Sequence, residues 1–530
     1  MMKLLSFFIS FFLCTILFAQ DKENQNVELP DFVITGKNVV NIQSVNKKAP
    51  PILSIISKDF LQPVYSTENL KVSEIKSKNL SPLNFKEKID FFNGNLEIKA
   101  GNYSLPEGNI YFSQPFSNGL FNINLNGGSL KAYEDNSDQT YFNGKANLDL
   151  FIKNNSDFFP GAKISFGGSY KTNKYKFYAV TNPMQRTLNK GNFSFGVQNL
   201  QNRQFAFAVN VTDDFYSLKS ENFDESIITI NGFTKIGLEK FDVASNIIYK
   251  KQSLTDSSGS SVNDNYLFAN LRANLNFIDE FKVSLGFSYS HVTGNNYYAP
   301  FASVSIGLGK SVTLIGEYSP KAEFITQGMM LNKNKYFNTN TFTNLFFKKT
   351  NSIGITLKFE YLKLFEMDLG FNYYSTPNQP YFNRPFSIGE KFNLLTISAK
   401  STSGFIKLLL SPGINGILTA EITYNSIEDN SGKKIPYSPQ FKIIAKYNYD
   451  FNLSIMIEPS VKYFSNSYAD IANTVEIKPF VDLGLRISKK LNNNIYVFVE
   501  GSNLLNHSNY IYDGYKELPV SLNGGVSIRW

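Results

Sequence analysis

From about residue 93 to Trp530 the chain repeats apolar and polar residues with a period of two, stretch after stretch. Phe142, Gly144, Ala146, Leu148 and Leu150 fall on one face, with Asn143, Lys145, Asn147 and Asp149 on the other. Leu267, Ala269, Leu271, Ala273, Leu275 and Phe277 alternate with Phe268, Asn270, Arg272, Asn274 and Asn276. Val481, Leu483, Leu485 and Ile487 alternate with Asp482, Gly484 and Arg486. Successive side chains of a β-strand point to opposite faces, so sustained alternation predicts strands. No stretch of comparable length carries the 3.6-residue period of a helix. Turn-forming clusters separate the runs, as at Asn154–Asp157, Asp256–Gly259, Asp429–Gly432 and Asn492–Asn494.

Composition decides what such strands can build. The 530 residues are 15% aromatic and 18% charged, with a mean hydropathy of −0.20. Forty-nine Phe and 30 Tyr can bury too much apolar surface for a disordered chain. One Cys and two His supply neither a disulfide framework nor a zinc site. The polar mean argues against a helical membrane bundle. A transmembrane β-barrel is polar on average, because every second residue faces its lumen. Soluble β-sandwich domains also alternate, but 93–530 contains no linker and no shift in composition to mark a boundary. The expected fold class is therefore all-β: a transmembrane antiparallel β-barrel of the bacterial outer membrane over 93–530. At roughly 20 residues per strand and connection it has about 22 strands, and any even number from about 18 to 24 would fit. Tyr297–Tyr298 and Tyr373–Tyr374, at run ends, are expected in the interfacial girdles. The longest loop candidates are 182–191, 254–264 and 326–336.

Residues 1–20 read as an export signal, with Lys3 ahead of an apolar run from Leu4 to Ala19 and cleavage after Ala19 or Gln20. The run is short for a spanning helix, which needs ~20 residues. Cys14 lies inside it, and Phe12 and Leu13 before it do not suit a lipoprotein site. Cleavage leaves a mature chain without cysteine, and removing Lys3 takes the formal net charge from +8 to +7.

Three segments then resemble one family. Asp31–Phe32–Val33–Ile34–Thr35–Gly36, just after the signal, resembles the TonB box of TonB-dependent outer-membrane receptors. Asn503–Leu504–Leu505–Asn506 with Tyr510 and Tyr512 resembles the stretch before the last strand in those receptors. The final strand, with Val526, Ile528 and Trp530 on one face, resembles the assembly signal of outer-membrane barrels, although these more often end in Phe. The resemblance implies a periplasmic TonB-type energy transducer as partner, gripping 31–36 by strand addition. It also implies the barrel assembly machinery, outer-membrane lipid and a scarce nutrient ligand such as a siderophore, cofactor or oligosaccharide. The departure is the plug domain of those receptors, for which residues 37–92 are too few. The chain is expected to be a plug-less or much-reduced relative, with 21–92 as a periplasmic or lumenal segment.

Little else carries chemistry. His291 and His507 fall at strand ends beside Asn or Gly, where a solvated loop histidine is the plain reading. No phosphate-binding loop, dinucleotide fingerprint or metal-ligand cluster is present, so no catalytic residue, cofactor or metal is expected. No basic cluster suited to nucleic acid occurs. Lumenal Lys145 and Arg272 would balance carboxylates such as Asp149. Three functions fit a non-enzymatic barrel in a Gram-negative-type outer membrane. They are energy-coupled uptake through 31–36, a passive porin-like channel, and an adaptor presenting loops such as 326–336.

Overall fold

The computed structural model describes residues 93–530 apart from 154–158, 201, 203, 239–240, 257, 279, 363, 412–415 and 452–453. The signal and the 31–36 segment lie outside the described residues. All described residues belong to the larger of two units, Tyr65–Trp530.

Twenty-two antiparallel strands form one sheet that closes on itself. The first strand, Gly94–Gly101, pairs with the second, Glu107–Phe116, and with the last, Ser521–Arg529. Leu96 faces Ile528 and Ile98 faces Val526 across this seam. Gly94 and Trp530 exchange backbone hydrogen bonds of 3.0 and 3.1 Å. The indole lies where a side chain at position 94 would be, so only glycine admits this approach.

The period-two reading assigns the faces correctly. Phe142, Leu271 and Ile487 are exposed on the outside. On the other face Asn147 donates to Asn122 Oδ1 at 2.9 Å, Arg272 is buried, and Arg486 is salt-bridged to Glu97 and Glu500. Exposed Ile98, Phe166, Phe193, Phe287, Val499 and Leu522 extend the outer apolar surface. Such a band belongs in hydrocarbon, where closure satisfies every strand edge. No described helix is long and apolar enough to cross a membrane.

One end of the barrel carries mostly short turns, such as 117–118 and 491–494, together with the first strand's start and Trp530. The opposite end carries 319–352, 430–440, 465–479 and 503–520. In outer-membrane barrels the short turns face the periplasm and the long loops face outward. Two loop expectations need correction. Most of 182–191 lies in the strand Gln185–Asn199, and 254–264 shrinks to a turn at 256–260 between Phe241–Thr255 and Ser261–Ile278. In both places polar residues facing the lumen look like loop in the sequence. The third candidate, 326–336, is a different structure altogether.

Candidate functional site

The residues of 319–352 cannot form an exposed loop, because too many are apolar: Ala322, Phe324, Ile325, Met330, Leu331, Tyr336, Phe337, Phe346 and Phe347. They fold into the barrel mouth instead. Lys321–Thr326 and Asn344–Lys349 pair as an antiparallel hairpin, and the helix Gln327–Lys333 lies between them. Thr326 caps that helix by accepting from Met329 N at 3.4 Å. The wall completes the cap: buried Glu225, on the strand Phe223–Gly237, accepts from the backbone N–H of Gly328 at 2.6 Å and of Gln327 at 3.3 Å. A carboxylate at a helix N-terminus meets unpaired N–H groups and the positive end of the dipole. Gly328 is required here, since a Cβ would run into the Tyr216 ring and Glu225 Oε2.

This inward-folded segment, the lid, contributes to the largest apolar cluster among the described residues. Ile325, Met330, Leu331, Tyr336, Phe337 and Phe347 pack against wall residues including Tyr175, Phe177, Leu188, Leu218, Phe223 and Leu254. A second cluster joins Ala322, Phe324 and Phe346 to Tyr266, Phe268 and Val292, with the rings of Tyr266 and Phe324 stacked at 5.5 Å. Arg186, fully buried, ties lid to wall. Its Nη1 donates to the carbonyls of Lys335 at 2.8 Å and Phe337 at 3.0 Å, and its Nε to Glu221 Oε1 at 2.6 Å. Glu221 also pairs with Lys391 at 2.7 Å. Burial pushes the Glu221 carboxyl up, but Arg186 and Lys391 outweigh it and hold the group below the ordinary range. Glu323 in the hairpin behaves alike: Lys349 and Lys321 overcome burial and bring it down to about 2.

Loop 503–520 closes over the lid from the other side. Tyr515 stacks on Tyr336 at 3.8 Å, and Tyr512 donates to the Lys333 carbonyl at 2.7 Å. The Asn503–Asn506 motif has a mechanical role here. Both asparagines have positive φ. Asn503 Nδ2 donates to the carbonyls of His507 and Leu518 at 2.9 and 3.1 Å. Its own N–H reaches Asp482 Oδ1 at 2.6 Å. Asn509 clamps the backbone of Val481 in both directions, at 2.9 and 2.6 Å. His507 is held within this staple by Asn509 at 2.8 Å. His291 pairs with Asn296 at 2.7 Å across its own hairpin.

Several lumenal charges are paired between strands. Lys99 reaches Glu500 at 2.7 Å and Glu107 at 3.3 Å, and Arg486 reaches Glu97 at 2.8 Å, across the barrel's closing seam. Asp149 pairs with Lys163 at 3.0 Å, not with Lys145. No group of acidic, His or Cys residues suited to a metal occurs among the described residues.

Solved structures match this arrangement of strands. The ferric-catecholate import receptor Fiu from E. coli K12 superposes with a TM-score of 0.63 at 10% identity, over 83% of this chain and 82% of that one. The pyoverdine outer-membrane receptor FpvA from Pseudomonas aeruginosa PAO1, bound to pyoverdine, gives 0.60 at 12% identity, over 84% and 79%. The copper transporter OprC gives 0.60 at 10%, over 82% and 80%. The fold is that of a TonB-dependent receptor barrel. No family model matches the chain, and no curated protein matches its sequence.

Within this receptor-type barrel, Val526, Ile528 and Trp530 lie on the lipid-facing side of the last strand, where all three are exposed. The tyrosine pairs split rather than sharing one girdle. Tyr298 is 71% exposed, whereas Tyr297 packs on the second lid cluster and Tyr374 on the first. Sequence reading missed the lid. The signal was present in the density of apolar residues between Ala322 and Phe347, unusual for a surface loop.

Proposed function

We propose that the protein is an outer-membrane uptake receptor whose outer mouth is closed by the 319–352 lid and whose 31–36 segment engages a periplasmic TonB-type transducer. The observation that carries this reading is the lid itself. A passive channel favours an open bore, and here the mouth holds a packed core pinned by Arg186, Glu221 and Glu225. Removing such a core from the lumen needs an input of free energy, which a coupled transducer supplies. The chain also enters the barrel at the short-turn rim, the side on which a periplasmic partner works. The similar barrels import ferric catecholates, bind pyoverdine or transport copper, and a scarce nutrient is the corresponding cargo here. An adaptor role through an exposed 326–336 loop loses its basis, since that segment is turned inward.

The test is deletion of 31–36 with the barrel shown folded in the outer membrane. Nutrient-limited growth and uptake should collapse to background. Unchanged uptake would establish a passive channel instead.

A further inference from the structure

Beneath the lid the balance of lumenal charge breaks down. A cavity of about 250 Å³ lies between lid and wall, lined by Lys171, Lys190, Lys333, Lys335, Tyr336 and Tyr512 among others. Glu517 is the one carboxylate among the described residues that line it. Lys171 and Lys190 are direct cross-strand partners on the lumenal face of Lys163–Lys176 and Gln185–Asn199. Like charges placed directly opposite destabilise a sheet. Lys190 meets only a neutral partner, Asn332 Oδ1 at 2.6 Å. Lys335 Nζ reaches Gln139 Oε1 at 3.4 Å and sits 5.1 and 5.2 Å from the ring centres of Tyr175 and Tyr336. No carboxylate of the described residues forms an ion pair with any of the four lysines. Burial holds Lys335 below the ordinary lysine range. The helix dipole accounts for Lys333, which ends the helix Gln327–Lys333. It does not account for a lysine pair on the facing wall.

We propose that this cavity binds a compact polyanion, a polycarboxylate or phosphate-bearing solute, held between two lid lysines and two wall lysines. The anion neutralises a site that otherwise repels itself, and by bridging lid and wall it fastens the lid. Tyr336 flanks the site and offers a hydroxyl donor to a further oxygen, while the Tyr512 hydroxyl is already given to the Lys333 carbonyl. The proposal rests on the uptake reading for what the site serves, but binding at equilibrium needs no transducer.

The test uses the purified full chain in detergent, titrated calorimetrically with citrate, with inorganic pyrophosphate and with neutral maltotriose. At least one anion should bind, with citrate or pyrophosphate preference separating carboxylate from phosphate recognition, and maltotriose should not. Lys171→Gln with Lys190→Gln, and separately Lys335→Gln, should each weaken binding at least tenfold. Lys516→Gln, at a lysine paired with Glu134 on the outer loops, should leave it unchanged. Without ligand, Lys171→Gln should raise the melting temperature by relieving repulsion. Absence of anion binding by the folded barrel, equal binding of maltotriose, or variants that bind like the native chain would overturn the proposal. Loss of uptake on deleting 31–36 bears on coupling alone, so either reading can fail without the other.

Discussion

Single residues in this barrel show how much a lumen-facing position can be asked to do. Arg186 has no solvent exposure, yet it carries a formal charge, two lid carbonyls and a buried carboxylate. Replacing it with leucine leaves Glu221 facing only Lys391 and frees both carbonyls. Breaking a buried pair from one side costs about 3 kcal/mol or more. Arg186→Leu should therefore loosen the lid while sparing the strands. Amide hydrogen exchange in 319–352 should accelerate at least a hundredfold, with Gln185–Asn199 still protected. Equal protection of the lid in both proteins would refute this role for the arginine. Nothing in the sequence marks Arg186 as special, because it stands near the start of a polar lumenal row. Burial of a long-range pair 35 residues apart emerges only when the hairpin closes. The outward residues are legible for the opposite reason. Phe142, Leu271 and Ile487 need only lipid, so local alternation suffices to place them.

At the scale of elements, two of the carboxylates around the lid, Glu221 and Glu323, have their charged forms favoured by ion pairs. Glu221 and Glu323 both titrate below the ordinary carboxylate range, which lies near ~4.3. A depressed acid contributes stability above its unfolded value and loses it as pH falls through the folded one. Glu517 in the outer loop has the opposite shift, since burial raises it, so its protonation in milder acid favours the closed state. The lid should therefore stay shut down to roughly pH 4.5 and be released between there and pH 2. The conductance of the barrel in planar bilayers should rise over that acid window and not between pH 7 and 5. A rise in the milder range, or none down to pH 2, would show that these carboxylates do not hold the lid. Strand content and approximate strand number follow from period two and chain length. The lid does not, because its short strands and seven-residue helix offer too little periodicity. Its apolar density was the available clue. The Asn503–Asn506 motif was visible in the sequence as a resemblance, but only the structure shows it stapling a loop to Val481 and Asp482.

The described residues form a closed 22-strand barrel that uses its apolar residues twice, outward on lipid and inward beneath its outer loops. Several lumenal charges between these regions pair across neighbouring strands, as Lys99 does with Glu107 and Asp149 with Lys163, whereas the lysine-lined cavity gathers four lysines without an ion pair among the described residues. The central claim is that this closed mouth is opened by work done from the periplasm through residues 31–36. The mature chain is expected to lack cysteine, so a single one can be placed at Ile34 and tested in cells for a disulfide to the strand-pairing face of a periplasmic TonB-type protein. Crosslinking at Ile34 that increases when the nutrient is supplied is the result expected. No crosslink at Ile34 or at Val33, in a protein shown to be folded in the outer membrane, would contradict the account and leave a lidded passive channel in its place.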